Sequence, residues 1–217
     1  MKMHLLFDLD GTLGNTVPLC IAAFREAIEP LAKRTLSDEE IIATFGPSEE
    51  GTIQALIPDL YEEGMMRYIE SYQRQHILYP EAFEGIPGLL AYLKRQQCYV
   101  GMVTGKGPKS TQLTLASYGL LDYFDCVKTG SIAGPVKRER IEEVLAETGL
   151  PREEFIYIGD APTDIIAARA CGIRAVAAAW SPDANAAALA QRKPDYLFTS
   201  VSEFFQMLID QFEDRVV

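Results

Sequence analysis

From Ile86 to the C-terminus, short apolar runs alternate with helical patterns, and this alternation restricts the fold more than any other feature. "CYVGMVTG" (98–105), "FDCVKTG", "EFIYIGDA", "IRAVAAAW" and "DYLF" read as strands. Between them, "GIPGLLAYLKRQQ" opens at Pro87, and "GPKSTQLTLASYGL", "KRERIEEVLAETGL" and "TDIIAARACG" close on Gly119, Gly149 and Gly172, as helices do. Helices are also expected at about 183–191 and at 201–213. Strands that are apolar on both faces, separated by helices, imply a parallel sheet covered on both sides. "MHLLF" (3–7) supplies a further buried strand at the start of the chain.

Residues 15–84 have a different texture: the pattern is helical, and no strand interrupts it. "VPLCIAAFREAIEPL" keeps apolar residues at three- and four-residue spacing. "SDEEIIATF" carries a capping-box signature in Ser37 and Glu40. "LYEEGMMRYIESYQRQHI" is amphipathic, and its Tyr and Met residues are assigned to a local core. The block is too long for one crossover helix. The expected fold class is therefore α/β, a three-layer doubly wound parallel sheet with an inserted α-helical cap domain. Residues 1–14 and 85–217 form the core domain, and 15–84 form the cap.

Net charge is −11, which argues against nucleic acid or an anionic membrane surface as partner. Most of the acidity lies on the insert, which has 13 acidic and 5 basic residues, a net of −8. No run is long and apolar enough for a membrane span. Cys20, Cys98, Cys126 and Cys171 lack paired spacing and read as free thiols in a cytoplasmic protein. With only His4 and His76 available, zinc is not expected, and both histidines are given structural roles.

In open parallel sheets, ligands bind beyond the carboxyl ends of the strands. Asp8 and Asp10 follow the first strand, Thr104 and Gly105 the second, and Asp160 and then Asp164 the fourth. Lys137 heads the helix leading to that fourth strand. Taken alone, Asp8 could cap a turn, Thr104 could form one, and Asp164 could cap a helix starting near Ile165. Lys106 and Lys109 compete with Lys137. Together, crowded carboxylates need a cation, and hard oxygen donors suit Mg²⁺ with substrate phosphate oxygens. A lysine, a threonine hydroxyl and a turn of backbone N–H groups would hold the phosphoryl group.

"DLDGTL", "VTGK", Lys137 and "IYIGDAPTD" resemble, in order, the four motifs of the haloacid dehalogenase-like superfamily, over about residues 3–180. Within it the chain looks most like the phosphoglycolate phosphatase branch with a helical cap. The resemblance implies a Rossmann-like core and a Mg²⁺-dependent phosphatase acting through an aspartyl-phosphate. Asp8 would be nucleophile and Asp10 general acid and base. Mg²⁺ would be held by Asp8, the Asp10 backbone carbonyl and Asp160, with Asp164 in support. Thr104, Gly105 and Lys137 would bind phosphate. The expected partner is a small phosphorylated metabolite, and the expected assembly a monomer or homodimer.

Three features depart from the common family pattern. Asn15-Thr16 replaces Asp-Ser, although either pair can cap the first insert helix. Ala161 replaces Ser, and Lys137 lacks a following Pro. A phosphomutase stays open as an alternative, with a pyrophosphatase or 5'-nucleotidase behind it. Asp10 argues against dehalogenation, which needs no acid there. A non-enzymatic binding protein would show an eroded motif, and none is eroded.

Overall fold

A computed structural model describes residues 3–213. Six strands form one parallel sheet: β1 (His4–Phe7), β2 (Val100–Val103), β3 (Cys126–Lys128), β4 (Phe155–Gly159), β5 (Arg174–Ala178) and β6 (Tyr196–Phe198). Their order is β3-β2-β1-β4-β5-β6. The chain leaves β1 for β2 and β3 on one side, then returns to β4 on the other. The switch point therefore flanks β1, and its carboxyl end lies between those of β2 and β4.

Side-chain alternation divides the strands between two cores. Leu5, Phe7, Val100, Met102, Ile156 and Ile158 face one layer, packed with α5 (Ile86–Arg95) and α10 (Val201–Glu213). Leu6, Val103, Phe155 and Tyr157 face the other, packed with α7 (Lys137–Thr148), α8 (Pro162–Ala170) and α9 (Ala186–Gln191). This is the expected three-layer arrangement. The helix expected from about 183 begins at Ala186, because Asn185 caps it by accepting the Ala188 N–H at 3.0 Å.

Between β1 and β2 the chain forms α1 (Val17–Ala32), α2 (Asp38–Ile42), α3 (Glu49–Leu56) and α4 (Tyr61–Gln75). Leu19, Phe24, Ile28, Ile53, Tyr68 and Tyr72 bury one another in a separate cluster. Each contributes roughly 1.5–3 kcal/mol if its side chain is fully removed from water. Ser37 and Glu40 make the expected capping box, with N–H···O distances of 3.2 and 2.9 Å. α3 was not marked by periodicity, since its run of eight residues is short and weakly amphipathic. Another helix of the core domain, α6 (Pro108–Ser117), meets α4 through Thr114, which bonds Tyr72 Oη at 2.7 Å and His76 Nε2 at 2.9 Å. His76 is thus tied into a buried polar contact, and His4 is buried beside Phe155.

Candidate active site

β1 runs into Asp8, whose N–H continues the ladder by donating to the Ile158 carbonyl at 2.9 Å. Asp8 is 6% exposed. Oδ2 accepts from Lys137 Nζ at 2.9 Å, while Oδ1 is buried with no hydrogen-bond partner among the described residues. Lys137, the first residue of α7, also donates to Asp164 Oδ1. Asp164 Oδ2 in turn accepts the Ala161 N–H at 2.9 Å. α8 begins at Pro162, so Asp164 sits in its first turn rather than before a helix starting near Ile165. From there it satisfies a backbone donor at the helix start and holds Lys137 at once.

Carboxylate oxygens of Asp8, Asp160 and Asp164 all lie within 4.8 Å of one another. Two glycines permit this crowding. A Cβ on Gly159 would stand 2.5 Å from the Asp164 carboxyl carbon, and one on Gly11 would stand 2.6 Å from that of Asp160. Gly11 also has φ +72°, which an L side chain adopts only at a cost. Burial raises the Asp8 carboxyl to about 6; Lys137 pulls against this and Asp164 adds to it. Burial, with Asp164 and Asp8 nearby, raises Asp160 well above the usual carboxylate range. Burial works against the charge on Lys137, yet Asp164 and Asp8 outweigh it and hold the ammonium protonated. Three buried carboxylates crowded this closely are what a hard divalent cation relieves, so the donor set fits Mg²⁺.

Asp10 lies beside this cluster with different partners. Its Oδ1 accepts from the Thr16 hydroxyl and from Lys106 Nζ at 3.2 Å. The Asn15-Thr16 pair, expected to be able to cap α1, does not do so through Thr16. Thr16 occupies the N-cap position, but its hydroxyl turns back to Asp10 instead of the helix. Lys106, 5% exposed, also contacts Cys20 Sγ at 3.1 Å and lies 4.5 Å from the centre of the Tyr72 ring. Cys20 and Tyr72 belong to the helical insert, so this lysine joins both parts of the chain. Choosing one lysine missed it: Asp8 and Asp10 each have their own ammonium. "VTGK" placed Lys106 two residues past Thr104, which was the available signal.

Thr104 and Gly105 stand at the carboxyl end of β2, but their turn is largely bonded to itself and its neighbours. Thr104 N–H donates to the Lys128 carbonyl at 3.0 Å, and its hydroxyl accepts the Lys106 N–H at 3.3 Å. Past Asp10, the Thr12 and Leu13 N–H groups both donate to the Leu9 carbonyl. The Thr12 hydroxyl is buried and has no partner among the described residues. Instead Trp180 Nε1 donates to the Thr12 carbonyl at 3.0 Å and anchors the turn from 168 residues away.

A family model described as haloacid dehalogenase-like hydrolase matches residues 5–178. The chain belongs to the haloacid dehalogenase-like hydrolases. As a member it is a hydrolase, and the four resembling motifs all fall within the matched segment. Pyrophosphatase PpaX of Bacillus pumilus is 30% identical over 205 residues, 94% of each chain. A haloacid dehalogenase-like hydrolase of Streptococcus pneumoniae has 25% identity and a TM-score of 0.76, with 95% of this chain and 98% of that one covered. A predicted phosphoglycolate phosphatase of Haemophilus somnus superposes with a TM-score of 0.80 at 20% identity, over 95% of this chain and 98% of the other, a likeness of fold. Among the described residues, no helix is long and apolar enough to cross a membrane.

Proposed function

We propose that this hydrolase is a Mg²⁺-dependent phosphatase that forms a phosphoenzyme on Asp8. The observation that carries the reading is the unequal state of the two Asp8 oxygens. Oδ2 is held by Lys137, while Oδ1 is buried and unpartnered, beside Asp160 and Asp164. A carboxylate oriented by one oxygen and left open at the other is placed to attack phosphorus.

Asp8 and Asp160, with the Asp10 backbone carbonyl, are the proposed Mg²⁺ ligands, and Asp164 supports them while holding Lys137. Bound there, Mg²⁺ would supply charge neutralisation for the transferring phosphoryl group. The chain's own residues account for the remaining steps. One Asp8 oxygen bonds to phosphorus as the bond to the leaving oxygen breaks. Asp10 gives its proton to that oxygen. Asp10 then takes a proton from water, the water oxygen bonds to phosphorus, and the acyl-phosphate P–O bond breaks to return Asp8 and free phosphate. Lys137, Thr104 and Gly105 position the phosphoryl oxygens. Residues 15–84 act as a cap over this rim.

For the substrate, the PpaX likeness over nearly the whole chain supports inorganic pyrophosphate as first candidate. The test is release of phosphate by the purified protein with Mg²⁺ from a panel of pyrophosphate, phosphoglycolate, sugar phosphates and nucleoside monophosphates. No release from any member would overturn the reading, and an isomerised sugar phosphate in place of free phosphate would make the protein a mutase.

A further inference from the structure

Beyond the contacts of Lys106 and Thr16, two further places bond the helical insert to α6 and the loops beside it. One is the buried contact of Tyr72 and His76 with Thr114. The other is the start of α3. There Glu49, 6% exposed, directs its carboxylate out of the insert and onto the first turn of α6. One oxygen accepts the Gly107 N–H at 2.7 Å, and the other accepts the Ser110 hydroxyl. Beside it, the Ser48 N–H donates to the Ser131 carbonyl at 2.9 Å. The fit is close, since a Cβ on Gly51 would overlap the Ile132 carbonyl.

The start of α3 therefore sits in a notch between two loops, 104–107 and 129–132. These loops are bonded to each other by Gly130 N–H to the Lys106 carbonyl at 2.8 Å. A Cβ on Gly130 would overlap the Gly105 carbonyl, so the loops are in direct backbone contact. The first loop carries Thr104, Gly105 and Lys106. Its near end is held by the sheet, through Thr104 N–H to Lys128. Its far end, at Gly107, is held by a carboxylate from the insert. Charged acceptors make the stronger kind of hydrogen bond, and a carboxylate also complements the start of a helix. Withdrawing the insert would release Gly107 and strip Lys106 of Cys20 and Tyr72 together.

We propose that Glu49 is a positioning residue that couples seating of the helical insert to the shape of the 104–107 turn, so the phosphate side of the site is complete only with the insert in place. The kinetic part of this inference rests on the phosphatase reading above. Glu49 acts through Gly107 and Ser110 and touches no reacting atom.

The test uses the full chain with Glu49→Ala, Glu49→Gln and Ser110→Ala. It measures steady-state hydrolysis of pyrophosphate with Mg²⁺, inhibition by inorganic phosphate, and amide hydrogen exchange over 104–107 and 129–132. Glu49→Ala is expected to raise both KM and the phosphate inhibition constant about tenfold, the scale of one hydrogen bond to a charged group, with a smaller change in kcat. Exchange should quicken across both loops. Glu49→Gln keeps an acceptor for Gly107 and should recover most of the loss. Ser110→Ala should act in the same direction with a smaller effect, and it serves if alanine at 49 prevents folding. A merely structural role would lower Tm and the active fraction while leaving KM and the phosphate constant alone. That outcome, or unchanged exchange in the two loops, overturns the proposal. Failure of the phosphatase reading looks different: the wild type releases no phosphate, while exchange still decides the coupling.

Discussion

Lys106 Nζ lies 3.2 Å from Oδ1 of Asp10, at the floor of the contact between the helical insert and the sheet. Burial works against its charge; Asp10, and after it Cys20, Tyr72 and Tyr68, work the other way and together hold the ammonium protonated. Lys106→Met removes the charge while keeping the length of the side chain. Asp10 is half-buried and can rehydrate, so a modest stability loss of about 1–3 kcal/mol is expected, read as a fall in Tm. Activity should fall more, on the order of 10²-fold in kcat, because a charge beside the acid–base carboxylate is gone. Unchanged kcat would remove Lys106 from the site.

Asp8→Asn should abolish phosphate release while leaving the fold intact, since the amide cannot form the phosphoenzyme. Its effect on metal-free stability should depend on pH. The folded-state value of about 6 lies above the ordinary 3.8. Ionising Asp8 therefore costs the folded state more than the unfolded one. Its contribution is most favourable below pH 3.8 and is lost as pH rises through about 6. In EDTA, the Tm of Asp8→Asn relative to wild type should accordingly rise by a few degrees between pH 4 and pH 8. A constant difference across that range would show that Asp8 is not strained by burial.

Gly159→Ala tests the crowding itself. The added Cβ would press on the Asp164 carboxylate, which is tied to both Lys137 and the Ala161 N–H and has little room to yield. A loss of about 1–3 kcal/mol is expected from overpacking, with a larger loss of activity through displaced Lys137. Chemical denaturation and kcat measure the two effects separately.

Removal of divalent metal should stop turnover, and added Mg²⁺ should restore it. Asp164→Asn should raise the Mg²⁺ concentration giving half-maximal activity by about 10–100-fold, the usual effect of losing a group that orients metal ligands. Metal titration of the two proteins gives the comparison. Full activity in EDTA would contradict the proposed Mg²⁺ dependence.

Much of this protein was legible along the chain. Periodicity distinguishes short, mostly apolar strands of three to five residues from amphipathic helices, and strand ends that run into Asp8, Thr104 and Asp160 point to one rim. Short polar contacts are not written in any period. Thr16 looked like a cap because threonine favours that position, yet its hydroxyl bonds Asp10. Lys106 looked like a rival of Lys137, although the two occupy different places. Glu49 is one of the 13 acids of the insert, nothing in the sequence sets it apart, and it is 6% exposed.

The order of hydrophobic segments by itself determined the parallel sheet, the helical insert and the identity of the carboxylates at the strand ends, because burial of apolar surface acts on local pattern. Only the tertiary structure decided which ammonium meets which carboxylate, which oxygen of Asp8 stays unpartnered, and that Glu49 reaches Gly107. Those choices depend on backbones packed within a few ångströms of each other from positions 58 to 129 residues apart, where position along the chain carries no information about distance.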